Sequence, residues 1–128
     1  MPATNFPEYA RSLAHVLDSV VATGDVIRTS VQVDQRSALR GFLSGSVHFD
    51  DGSTLDFREF VDISQTEPRI MYAYHYQDAN HRLIFRYDNA AHRPALSQPA
   101  HKHTPSGIEL VSSPTLPALL DLILDRAS

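Results

Sequence analysis

Two neighbouring segments, residues 72–77 and 82–88, hold many of the side chains that can perform acid–base and anion chemistry. Their alternating pattern predicts two paired β-strands with one polar and one apolar face. The polar face groups an acid–base residue, two cations and an amide: His75, Arg82, Arg86 and Gln77. Metal-free RNA cleavage requires a base for the 2′-OH, an acid for the 5′-oxygen and a cation for the pentacovalent anion.

The turn between the two segments decides which side chains share a face. A two-residue turn at Ala79-Asn80 gives the polar face just described, and we favour it because a left-handed backbone is uncommon outside glycine. In the alternative, His81 occupies a left-handed bulge position and His75 turns inward. The residues that then share one face are Tyr74, Tyr76, Arg82, Arg86 and Asp88.

The same residues also fit a structural role. The tyrosine rings can pack in a core, and the arginines can pair with Asp78 and Asp88. Under the functional interpretation, aromatic or histidine rings stack on an unpaired base. The predicted substrate-binding residues are Tyr76, Gln77, Arg82, Tyr87, His92 and Lys102.

A second group of histidines lies in the proline-containing segment 89–107, for which we expect no regular structure. If this segment is extended, His101 and His103 point the same way, and with His92 they can form a three-histidine zinc site. Lys102 lies between two of these ligands, and the loop offers no carboxylate. An anion site in which the histidines act as acid or base, without metal, is therefore favoured over zinc, and a plain surface loop is the remaining alternative.

Composition narrows the class of protein. The chain has 128 residues, a net charge of −4 and no cysteine, which excludes a generic charge-driven nucleic-acid binder, disulfides and thiolate chemistry. Residues 75–103 nevertheless hold five of the seven histidines and a formal charge of +2. No apolar stretch approaches the ~20 residues of a membrane span, and we expect a cytoplasmic protein that does not bind membranes.

The elements that must position these groups follow from periodicity. Helical spacing of apolar residues predicts an N-terminal helix over about residues 5–19 and a short amphipathic C-terminal helix starting near Leu116. Five alternating or β-branched segments between them predict strands at about 26–33, 39–49, 54–63, 68–77 and 82–88. We therefore predict one α+β domain over residues 1–128, with a five-strand antiparallel meander.

Three motifs also carry a family resemblance. They are Tyr74-His75-Tyr76-Gln77-Asp78, Leu83-Ile84-Phe85-Arg86-Tyr87-Asp88-Asn89-Ala90 with His92, and His101-Lys102-His103. With the Tyr9–Leu17 region, Leu39-Arg40-Gly41 and Phe49-Asp50-Asp51-Gly52-Ser53, they resemble the TumE toxin family along nearly the whole chain. The chain departs from that pattern at His81, where glycine is usual, and at Ala91, where proline is usual. Neither departure removes a candidate catalytic group.

The resemblance implies the toxin of a type II toxin–antitoxin pair, neutralised by an adjacent helix-turn-helix antitoxin. Together with the residue chemistry, it leads us to expect a metal-independent endoribonuclease that uses no cofactor. The predicted catalytic residues are His75, Arg86, His101 and His103. Two alternatives remain: a non-catalytic module that binds an anion or a protein, and a zinc hydrolase built on His92, His101 and His103.

Overall fold

The first helix begins where the sequence supplies a cap. The computed structural model describes residues 3–90 and 100–127, and its helix α1 spans Phe6–Val21. The Asn5 side chain accepts a hydrogen bond of 2.9 Å from the Glu8 N–H, which satisfies one of the free donors of the first turn. The helix prediction is confirmed, with its ends shifted by one and two residues.

Seven strands form one antiparallel sheet whose spatial order follows the chain, β1 to β7. The strands are β1 Val26–Gln35, β2 Arg40–Phe49, β3 Thr54–Asp62, β4 Arg69–Gln77, β5 Leu83–Asp88, β6 His101–Thr104 and β7 Gly107–Glu109. Helix α2 follows at Leu116–Ala127. Neither helix is long and apolar enough, over the described residues, to cross a membrane.

The α+β meander is confirmed, but the count of five strands is wrong. Segment 89–107, expected to lack regular structure, contributes β6, and β7 continues from its end. Strand β6 pairs with β5, and β7 pairs with β6. Pro105 lies in the turn between the two added strands, where its missing N–H costs the ladder nothing.

Both helices pack on one face of the sheet, and no helix of residues 3–90 and 100–127 lies on the opposite face. The Phe6 ring of α1 lies directly over Gly41, where an added Cβ would approach it to 2.3 Å. The buried core joins α1 and α2 to the inward side chains of the strands, among them Leu43, Val47, Leu55, Phe57, Tyr74, Phe85 and Tyr87. We call the side of the sheet opposite to α1 and α2 the open face.

A buried polar network fastens α1 to the sheet within this core. Glu59 is 2 % exposed and accepts hydrogen bonds from the hydroxyls of Tyr9, at 2.5 Å, and Tyr74. Arg69 donates to the Tyr74 hydroxyl at 3.2 Å and to the Pro114 carbonyl oxygen at 2.9 Å. Burial and the Glu59 carboxylate raise the pKa of both phenols.

The turn between β4 and β5 differs from the two-residue turn that we favoured. His81 has a φ of 63°, and the Asp78 N–H donates to the Arg82 carbonyl oxygen at 2.9 Å. The Asp78 carboxylate stabilises this longer turn, because it accepts hydrogen bonds from the N–H groups of Asn80 and Arg82. His81 therefore occupies the left-handed position of the alternative.

His75 nevertheless lies on the face that we predicted for it. A second irregularity, between Tyr76 and Gln77, shifts the β4–β5 register by one further residue. Because side chains alternate with a period of two, the two one-residue shifts together return His75 and Arg86 to the same face of the sheet. His75 consequently pairs with Arg86 on the open face, while Tyr74 and Tyr87 face the core.

Candidate functional site

The register of four neighbouring strands aligns polar groups across the open face. The pairs Asp56–His75, His75–Arg86 and Arg86–His103 run through β3, β4, β5 and β6. Directly paired residues project from the same face, so these four side chains form one row. We call it the histidine–arginine row, and in it Arg86 lies between His75 and His103.

The Arg86 guanidinium links the row to a buried carboxylate. Its Nε donates to Asp88 Oδ2 at 3.0 Å, and its Nη1 lies 3.5 Å from His75 Nδ1. The Arg86 side chain is 31 % exposed, whereas that of Asp88 is 7 % exposed. Arg86 is thus held on one side and presents the rest of its guanidinium to the surface.

Asp88 is the centre of the site. Its Oδ1 accepts from His101 Nε2 at 2.7 Å and from the Ala90 N–H at 3.1 Å, and its Oδ2 lies 3.5 Å from His103 Nε2. His101 is fully buried, while the His103 side chain is 25 % exposed. The hydrogen bond requires a proton on His101 Nε2, so Asp88 fixes the orientation and tautomer of that ring.

The same cluster offers metal ligands in a combination that differs from the predicted three histidines. Ligand atoms of Asp88, His101 and His103 lie within 4.8 Å of one another. Two imidazoles and a carboxylate suit zinc and other divalent transition metals. In the present arrangement Arg86 and the Ala90 N–H already bind the Asp88 carboxylate, so a metal ion would have to compete with them. His92 lies outside the described residues.

Several predicted substrate-binding residues lie away from this row. Tyr76 is buried on the core side and donates to Ser53 Oγ at 2.9 Å. Tyr87 is also in the core, and Lys102 Nζ lies 5.3 Å from the centre of its ring. The structure thus places Tyr76, Tyr87 and Lys102 on the face opposite to His75.

The two remaining predicted binding residues lie at the turn end of the hairpin. Gln77 lies next to His75 on the open face, and its Nε2 is 2.9 Å from His81 Nδ1. Arg82 is exposed. Of the four predicted catalytic residues, His75, Arg86 and His103 share one row. His101 is paired with Asp88, one step of two residues along β6 from His103.

Two adjoining cavities extend over the open face. One, of about 380 Å³, is lined by Asp56, Arg58, His75, Gln77 and Arg86 among others. The second, of about 430 Å³, shares Arg58 and Arg86 with the first and continues towards Phe60. Both volumes fall in the range of about 300–1,000 Å³ that is typical of ligand sites.

Sequence reasoning missed Asp88 and Arg58 as members of the site. The spacing of Arg86 and Asp88 was a usable signal, because residues two apart in a strand share a face. Arg58 had no such local signal, since its proximity to Arg86 depends on how β3, β4 and β5 pair.

Comparison with known proteins identifies the family of the chain. No protein of curated function and no solved structure matches the chain. Residues 13–127 match the family model described as Toxin TumE. Since this match spans most of the sequence, the chain belongs to the TumE toxin family.

Proposed function

We propose that this toxin acts on RNA as a metal-independent endoribonuclease. The observation that supports the proposal is the position of Arg86 between His75 and His103 on the open face. The β4 and β6 strands are separated by two strand spacings, about 10 Å in total. That separation leaves room for a phosphate on Arg86 with one histidine on each side.

The reaction uses these three side chains in complementary roles. One histidine takes the proton of the 2′-OH, whose oxygen attacks the adjacent phosphorus. The other histidine donates a proton to the 5′-oxygen as the P–O5′ bond breaks, and the products are a 2′,3′-cyclic phosphate and a 5′-OH. Arg86 stabilises the pentacovalent anion between them.

Asp88 and His101 support this chemistry as positioning residues. Asp88 accepts from Arg86 Nε, which fixes the guanidinium, and lies 3.5 Å from His103. His101 is fully buried and holds the other carboxylate oxygen of Asp88. Together, Asp88 and His101 keep the Arg86 and His103 side chains directed towards the same space.

The family role implies an antitoxin partner. We propose a small helix-turn-helix protein encoded next to this gene. Identification of the neighbouring reading frame tests that proposal directly, and co-expression with it should restore growth.

Expression of the chain without its antitoxin should arrest growth, and Arg86→Ala should relieve the arrest. Loss of one transition-state donor costs about 2.7–4 kcal/mol, or 10²–10³ in rate. Arg11→Ala is the matched control, because Arg11 is exposed on α1. Wild-type toxicity of an Arg86→Ala protein at equal abundance would refute the assignment.

Purified protein should cleave single-stranded RNA in the presence of EDTA, and a deoxynucleotide immediately 5′ of the scissile phosphate should block the cut. His103→Ala should reduce single-turnover cleavage by about two orders of magnitude. The control is His15→Ala, since His15 is exposed on α1. RNA or protein binding without any cleavage would indicate the non-catalytic module instead.

A second candidate function follows from the convergence of Asp88, His101 and His103. These ligands are suited to a metal-dependent hydrolase, in which the metal activates water. Cleavage that EDTA abolishes and added Zn²⁺ restores would favour this candidate over the metal-independent reaction.

A further inference from the structure

An aromatic pair stands on the open face beside the proposed catalytic residues. Phe42 of β2 and Phe60 of β3 are directly paired, and their rings stack with centroids 4.5 Å apart and planes inclined by 14°. Phe60 pairs on its other side with Met71, which is 59 % exposed. We call these three residues the apolar row.

The rise of strand β3 sets the distance between the apolar row and the histidine–arginine row. Along β3, Phe60, Arg58 and Asp56 are successive residues on the open face. Each step of two residues advances about 7 Å, so Phe60 lies about 14 Å from Asp56 and about 7 Å from Arg58. The side chain of Arg58 is exposed and makes no ion pair with another described residue.

We infer that Phe60 is the stacking surface for an unpaired base of single-stranded RNA, with Arg58 binding the phosphate between that base and the cleavage site. Because Phe42 covers one face of the Phe60 ring, the base uses the opposite face, towards Met71. This inference deepens the proposed function and rests on it.

Three features favour a nucleotide as the occupant. The cavity lined by Phe60 and Met71 adjoins the cavity that contains His75, because Arg58 and Arg86 line both. Aromatic rings beside cationic groups are the usual means of binding single-stranded nucleic acid, since every base offers a flat π-surface. The predicted tyrosine surface cannot serve here, because Tyr76 and Tyr87 are buried on the other side of the sheet.

Binding of a short 2′-O-methyl RNA tests the inference without cleavage, because this probe lacks the attacking hydroxyl. Phe60→Leu should weaken binding, measured by fluorescence anisotropy, by roughly five- to 150-fold, the range for loss of one base stack. Phe60→Tyr keeps the aromatic surface and should bind nearly as well as wild type. Urea denaturation of both variants confirms that they are folded.

An abasic scan of the same probe makes the test independent of any folding defect. One abasic position should weaken binding to the wild-type protein by a similar factor and have little effect on Phe60→Leu. Equal binding of Phe60→Leu and wild type, or insensitivity to every abasic position, would overturn the inference. Loss of antitoxin binding by Phe60→Leu with unchanged RNA binding would overturn it as well, because the face would then bind protein.

The outcomes for the two proposals are separable. Binding that depends on Phe60 in a protein that cuts no RNA would refute the ribonuclease and retain the base site. Cleavage whose KM and kcat do not change in Phe60→Leu would retain the ribonuclease and refute the base site.

Discussion

Replacement of Asp88 by asparagine removes the charge at the centre of the site and keeps the side-chain shape. The Asp88 carboxylate binds His101 Nε2 at 2.7 Å, Arg86 Nε at 3.0 Å and the Ala90 N–H at 3.1 Å. An asparagine amide has one oxygen, so its nitrogen must point at one of these donors. Asp88→Asn therefore leaves at least one of these donors without an acceptor and removes the charge from the hydrogen bonds that remain.

The magnitude follows from the burial of each partner. The hydrogen bond to fully buried His101 is accepted by an ionised carboxylate, and a hydrogen bond to a charged group contributes about 1.5–3 kcal/mol to stability. The Arg86 side chain is 31 % exposed, so solvent screening limits its ion pair to about 0–1 kcal/mol. We expect Asp88→Asn to lower the free energy of unfolding by about 1.5–4 kcal/mol.

Urea denaturation measures this loss. With a slope of about 2 kcal/mol per molar, the middle of the range for small proteins, the midpoint should fall by roughly 1–2 M. Asp50→Asn is the control, since Asp50 is exposed in the turn after β2. The double variant Asp88→Asn, His101→Gln should be more stable than the two single losses predict, by at least about 0.5 kcal/mol. Strict additivity, or a midpoint equal to that of Asp50→Asn, would refute the buried pair.

Two further predictions concern the core network and the hairpin turn. Burial and the Glu59 carboxylate raise the pKa of the Tyr9 phenol. The protonated phenol therefore contributes its full stabilisation below about pH 10, the pKa of an unfolded tyrosine, and this stabilisation is lost as the pH rises further. Tyr9→Phe should flatten the alkaline fall of the urea midpoint, and an unchanged slope would contradict the linkage. His81→Gly should raise the free energy of unfolding by about 0.5–1 kcal/mol, because glycine adopts the φ of 63° without strain. A lower urea midpoint for His81→Gly would show that the Gln77–His81 contact outweighs this strain.

The hairpin shows what alternation can and cannot predict. The period of two correctly places His75 with Arg86 and the tyrosines in the core. The turn was predicted incorrectly, because a side chain, that of Asp78, stabilises the less common backbone. Beyond Gln77 the two one-residue shifts cancel, so the predicted face of His75 and Arg86 is right although the register is wrong. At the turn end only the first shift applies, and Arg82 is out of phase with the predicted polar face.

The loop and the centre of the site were harder to predict, because they depend on pairing between segments. Strand β6 has four residues, and it is held by pairing with β5 and β7. Once β6 is paired, Asp88 and His101 are directly opposite each other, which turns a strand-ending aspartate into a buried partner. A search for ligands within the loop alone misses Asp88, because the acidic residue belongs to the preceding strand.

The sequential order of the sheet has a consequence for synthesis on the ribosome. Each strand pairs with its neighbours along the chain, so β1 to β5 can assemble in the order in which they are translated. His75 and Arg86 can then meet before His103 has left the ribosome. At about 5–20 residues per second, the 15 residues from Asp88 to His103 take roughly one to three seconds. The nascent toxin therefore passes through an interval in which its sheet has begun to form and its site still lacks the last histidine.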